Sequence, residues 1–127
     1  MSHTGKELEG PLVFAEELMD AMNDLVGKNA LYSFLEKNFP EKEFSVDETG
    51  GLLISADVNK ERLLTLFQAF RGFLENILGK ELAKNVFKNV FSQMVKKNLP
   101  AESVNMALDF MPPEAAREAR TGVYVKD

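Results

Sequence analysis

Cysteine is absent from this chain of 127 residues, and histidine occurs once, at His3. The first absence excludes disulfides, thiolate metal ligands and cysteine nucleophiles. The second leaves a structural zinc site or a histidine-based catalytic site with almost no ligands to draw on. We therefore predict a protein that is not an enzyme and that uses no cofactor and no metal.

Long apolar runs and an excess of positive charge are also lacking. No window approaches the ~20 continuous apolar residues that span a bilayer, and the N-terminus has no apolar stretch typical of a signal peptide. The 15 Lys and Arg are outnumbered by 20 Asp and Glu, which gives a net charge of −5. This balance disfavours nucleic acid and anionic lipid as partners. We expect a cytoplasmic protein that contacts neither membrane nor nucleic acid.

The chain does contain ample material for one hydrophobic core. Apolar residues make up 45% of it, ten of them Phe, and the length suits one sizeable core rather than two. We predict a single domain over 1–127, with a flexible leader at 1–9. The stretch 113–127 is predicted to be a loosely attached tail, because it has good helix formers but almost no apolar stripe.

Apolar residues recur at helical spacing in five segments, which predicts five helices. The segments are 11–26, 28–38, 57–78, 80–98 and 101–111. Gly27 suits a left-handed C-terminal cap. A glycine costs only ~1 kcal/mol inside a helix, so one bent helix running through Gly79 is the alternative to the two helices that we favour there.

Between the second and third helices the apolar period changes to two. The ranges 44–46 and 52–56 alternate on either side of Gly50 and Gly51, which predicts a β-hairpin. An isolated hairpin is marginal in water, so it must lie on helices, pair with another chain or gain a third strand, for which Gly122–Val125 is the candidate. The predicted fold class is α+β, predominantly α.

Three charged groupings are candidate sites, and each has a simpler explanation as solvated surface. The acidic loop Asp47–Gly51 lacks the alternating ligands and the closing Glu of an EF-hand. Like charges on exposed helical faces explain the other two groupings better than a metal, acid–base or phosphate site does. They are Glu16, Glu17, Asp20 and Asp24 on the first helix, and Lys80, Lys84, Lys88, Lys96 and Lys97 on the fourth.

One local pattern occurs twice. Leu25–Ala30 resembles Ile77–Leu82, each has a Gly-Lys pair between helical segments, and each is followed by Lys-Asn-Phe-Pro or Lys-Asn-Leu-Pro. The distance from Gly to Pro differs between the copies, and both residues recur at helix ends for local reasons. We attribute the echo to shared capping chemistry rather than to duplication.

The aromatic stripes of the third and fourth helices suggest a function. They look too wide for a monomer of this size, and Phe and Met also line interfaces and pockets. The candidate interface or ligand-pocket residues are Phe67, Phe70, Phe73, Phe87, Phe91 and Met94. We predict a non-enzymatic regulatory or scaffold domain that forms a homodimer and binds another protein. The alternative is a sensor domain that binds a small apolar ligand in a Phe- and Met-lined pocket.

The run Phe70–Ala83, FRGFLENILGKELA, resembles helical modules of prokaryotic, especially archaeal, signalling proteins. It covers a small part of the chain and contains no diagnostic polar residue. The resemblance implies a regulatory role and assigns no site residue.

Overall fold

The computed structural model describes residues 8–97 and 99–119. Within them the chain forms six helices and one two-stranded antiparallel sheet. The predicted α+β class with predominant helix is confirmed. In chain order the elements are α1 (Glu9–Val26), α2 (Lys28–Asn38), β1 (Phe44–Val46), β2 (Leu52–Ile54), α3 (Lys60–Leu78), α4 (Lys80–Val95), α5 (Ala101–Leu108) and α6 (Pro113–Ala119).

Two helical corners each turn on a single glycine. Gly27 and Gly79 have the same backbone angles, φ 90° and ψ 163°, which residues with a Cβ rarely adopt. Gly79 separates α3 from α4, so the two predicted helices are confirmed and the single bent helix is wrong. At Gly27 the predicted positive φ is observed, but ψ is extended rather than left-handed helical.

A cluster of aromatic rings joins α1 to α3 and α4. The ring of Phe14 is fully buried, and its centroid lies 5.2 Å from that of Phe67, 6.2 Å from Phe87 and 5.9 Å from Phe91. The helix α1 also packs against α2, β2 and α5. The core therefore forms around α1, with the second half of the molecule closing over it.

The hairpin lies on helices, which is one of the three arrangements that the sequence allows. Phe44 pairs with Ile54 in the sheet, and its buried ring lies 4.9 Å from that of Phe39, just after α2. The Asp47 carboxylate accepts hydrogen bonds of 2.8 Å from the Thr49 amide, the Thr49 hydroxyl and the Gly51 amide. The acidic loop thus uses its carboxylate to close its own turn. The candidate strand 122–125 lies outside the described residues.

Parts of the predicted leader and of the predicted tail are ordered. Leu8 is buried and α1 begins at Glu9, so residues 8 and 9 of the predicted leader are ordered. Residues 1–7 lie outside the described part. The prediction of a loosely attached tail is wrong for 113–119, which form α6 and pack on α4. Its buried residues are Ala115, Ala116 and Ala119. Small side chains let two helices approach closely without a bulky apolar stripe.

Candidate ligand-binding cleft

The predicted aromatic site belongs mostly to the core of a single chain. Phe73 is half-buried, with its ring 4.6 Å from that of Phe34 on α2. The other five candidates are at most 1% exposed: Phe67, Phe70, Phe87, Phe91 and Met94. Because α1 and α2 cover these side chains, they present no exposed interface. The aromatic stripe of α3 and α4 looks too wide for a monomer in the sequence, because the helices that cover it are distant in the chain.

An open cleft of about 250 Å³, which we call the α3 cleft, lies between α3 and the segment that leads from α5 into α6. Most of its lining is apolar, and charged side chains stand at its rim. The lining residues are Leu64, Phe67, Gln68 and Arg71 on α3 and Asp109, Phe110, Met111, Pro112 and Pro113 opposite. Two of the predicted site residues line cavities. Phe67 lines this cleft, and Phe87 lines the pocket described next.

Local sequence explains both walls of the α3 cleft. Leu64, Phe67 and Arg71 are spaced by three and four residues, so they share one face of α3. The opposite wall is non-helical because the consecutive prolines at 112 and 113 cannot extend α5, while proline is well tolerated where α6 starts. The ring of Phe110 lies 5.2 Å from that of Phe67, and this contact fixes one wall against the other.

A polar pocket of about 40 Å³ adjoins the α3 cleft, since Arg71 and Pro112 line both. It lies between α3, the start of α4 and the start of α6. Its other lining residues are Glu75, Lys80, Ala83, Lys84, Phe87 and Glu114. An apolar cleft thus borders a charged pocket, and Arg71 stands at the boundary.

Two lysines of the basic stripe on α4 are paired with a glutamate of α6. Glu118 accepts hydrogen bonds from Lys88 Nζ at 2.6 Å and Lys84 Nζ at 2.9 Å, and these bonds lower the pKa of its carboxyl to about 2. Hydrogen bonds to Glu118 and then to Glu81 raise the pKa of Lys84. The ion pairs hold α6 in place, and α6 in turn supports the wall of the α3 cleft.

The acidic face of α1 behaves as crowded surface. Burial, followed by repulsion from neighbouring carboxylates, raises the pKa values of Glu16 and Asp20. Glu17 is compensated by Lys97, whose Nζ lies 3.1 Å from its Oε2. Across residues 8–97 and 99–119, no group of three or more acidic or histidine side chains is arranged to hold a metal ion.

Only the aromatic part of the cleft is visible in the sequence. Arg71 and the wall at 109–113 were not among the candidates, because the Pro-Pro pair signals the end of a helix and does not reveal what the segment packs against. None of the described helices combines the length and the apolar character that crossing a bilayer requires. In comparisons with known proteins, no family model, no curated protein and no solved structure matches this chain.

Proposed function

We propose that this protein is a non-enzymatic regulatory domain that senses a small apolar ligand in the α3 cleft. The observation that carries the proposal is the cleft itself, with a volume of about 250 Å³ and a mostly apolar lining. The α3 cleft is open to solvent, and its volume matches an aromatic ring or a short alkyl chain lying against the surface.

The composition of the α3 cleft supports this role. The rings of Phe67 and Phe110 pack against each other with a tilt of 54°. Because they are only 1% and 3% exposed, they form an apolar base under the cleft. Met111 adds a flexible, polarisable side chain that adapts to ligand shape. Sites for small molecules are typically apolar with a few polar groups that fix orientation, and Gln68 and Arg71 supply such groups at the rim.

Titration with 2-phenylethanol, followed by amide chemical shifts in ¹H–¹⁵N spectra, tests the proposal. We expect shifts concentrated at 64–71 and 109–113. Gln68→Trp places an indole in the cleft and should weaken binding about tenfold or more, because the ligand loses its volume. Thr65→Trp adds the same group at an exposed position of α3 outside the lining and should leave binding unchanged. Absence of shifts, or equal weakening by both variants, would contradict the proposal.

Self-association with protein binding is a second candidate function, and the helical corners favour it. Leu25 is 50% exposed near Gly27, while Ile77 and Leu82 are 47% and 54% exposed beside Gly79. Single exposed apolar side chains are common on monomers, so the surface needs a direct test. A cytoplasmic location and a place in signalling stay predictions under either function.

Sedimentation velocity at micromolar concentrations separates the two functions. If the exposed apolar side chains at the corners form a dimer interface, the native protein sediments as a dimer. Leu82→Lys should then shift it towards monomer, because burying an unpaired charge in the interface is costly. Leu53→Lys changes an equally large side chain, 50% exposed on β2, and serves as the control. A monomer at every concentration would contradict self-association and leave the ligand-sensing proposal standing.

A further inference from the structure

Arg71 has hydrogen-bonding capacity to spare at the boundary between the α3 cleft and the polar pocket. Its Nε donates to Glu75 Oε2 at 2.9 Å, and its side chain is 42% exposed. The N–H groups of its two Nη atoms donate to no other residue in the described part of the chain. A guanidinium presents its donors as a rigid fork that matches a carboxylate, so Arg71 can accept an anion without releasing Glu75.

Lys80 supplies a second cation in the polar pocket. Among residues 8–97 and 99–119 it forms no ion pair, whereas Lys84 in the same lining is shared between Glu81 and Glu118. The ammonium of Lys80 is therefore available to a ligand. A flexible lysine beside an arginine fork is a suitable arrangement for one negatively charged group.

Acidic side chains also line this region, so the ligand charge that fits depends on which charged groups are already paired. Glu75 is already paired with Arg71. Glu114 in the polar pocket and Asp109 in the α3 cleft are exposed, where water and salt screen their charges. Lys84 is held by Glu81 and Glu118. The groups left to meet a ligand in the polar pocket are the ammonium of Lys80 and the Nη donors of Arg71, and both favour an anion.

We infer that the ligand of the α3 cleft is an aromatic or short-chain monocarboxylate, with its apolar part against Phe67 and Phe110 and its carboxylate between Arg71 and Lys80. This inference rests on the proposed ligand-sensing function. It adds the chemical class of the ligand and the residues that recognise its charge.

Three probes with one carbon skeleton test the charge: phenylacetate, 2-phenylethanol and 2-phenylethylammonium. Charge-assisted hydrogen bonds are about twice as strong as neutral ones, so we expect phenylacetate to bind about tenfold more tightly than the alcohol at pH 7. The ammonium should bind more weakly than the alcohol. The dissociation constants come from the amide chemical shifts, and the Arg71 Nε–Hε resonance should move with phenylacetate alone.

Substitution of Lys80 locates the recognition. Lys80→Gln should reduce the affinity for phenylacetate severalfold and leave that for 2-phenylethanol unchanged, because only the carboxylate uses the ammonium. Lys60→Gln is the matched control, since Lys60 is the first residue of α3 as Lys80 is of α4, and both are exposed. Arg71→Gln should abolish the preference for the acid. An equal loss in the two lysine variants would mean a general charge effect and would overturn the inference.

The outcomes separate the inference from the proposed function. If the acid and the alcohol bind equally well, or the ammonium binds best, the inference is overturned while ligand sensing in the α3 cleft stands. If none of the three probes shifts the resonances of the cleft, the proposed function fails and the inference fails with it. Tighter binding of phenylacetate that depends on Arg71 and Lys80 supports both.

Discussion

The chain uses a helix–glycine–helix unit twice, as α1–Gly27–α2 and as α3–Gly79–α4. When the two glycines are aligned, the exposed side chains of Leu25 and Ile77 coincide, and buried residues fall at shared positions. The aligned buried pairs include Phe14 with Leu66, Leu18 with Phe70, Met22 with Leu74, Leu31 with Ala83 and Leu35 with Phe87. Capping chemistry accounts for the corners, and the shared burial extends the likeness through both helices.

The two units differ in what covers their second helix. The hairpin covers α2 through apolar contacts such as that between Phe39 and Phe44. In the second unit α6 covers α4 with alanine side chains and with the ion pairs of Glu118. Alanine fills little volume, and the polar pocket and the α3 cleft both border the start of α6. The two cavities therefore lie where the covering helix contributes small side chains and ion pairs instead of bulky apolar groups.

The largest expected effect comes from the aligned core positions Phe87 and Leu35. Phe87→Ala should lower the free energy of unfolding by about 3–5 kcal/mol and Leu35→Ala by about 2–5 kcal/mol, because both leave cavities in a closed core. The substitution of Phe87 should lower the free energy of unfolding more, since its ring also lies 6.2 Å from that of Phe14. Urea denaturation measures both values. An equal or greater loss at Leu35 would show that the contact between Phe87 and Phe14 adds nothing to stability.

Alanine at the two corner glycines should have a smaller and equal effect. Nothing lies within 4 Å of a Cβ built on Gly27 or Gly79, so the cost comes from the positive φ alone, about 1–3 kcal/mol at each site. Gly72→Ala is the control, because that glycine lies inside α3 with open space and no positive φ. It should stabilise the protein by about 0.5–1 kcal/mol. A corner that tolerates alanine while the other does not would break the equivalence of the units.

Loss of the ion pairs between Glu118 and α4 should have the smallest effect on stability, and that effect should depend on pH. The folded pKa of Glu118 is lowered from 4.5 to about 2, so its contribution to stability is fully present above pH 4.5 and is lost as the pH falls towards 2. Glu118→Gln should therefore lower the melting temperature at pH 7, and the difference from native should close near pH 2. Glu114→Gln, on the same helix, is the control. A difference that persists at pH 2 would contradict the ion-pair explanation.

Local features of the sequence predicted the elements, and distant contacts determined the rest. Helical periodicity and the break at Gly79 depend only on residues close together in the chain. The start of α3 is also held locally, since Asn59 Oδ1 accepts from the Arg62 amide at 2.8 Å. The docking of α6 was missed because alanine carries little hydrophobic signal and Glu118 finds its lysines far back in the chain. The candidate site was predicted only where aromatic content marks it, at Phe67 and Phe87.

A crystal structure of the native protein soaked with 2-phenylethanol tests the central claim most directly. The account predicts density for the phenyl ring in the α3 cleft, against the side chains that line it from Leu64 to Met111. The same soak of Gln68→Trp should leave the cleft occupied by the indole instead. A ligand bound elsewhere, or a cleft filled by a second copy of the chain, would contradict ligand sensing at this site.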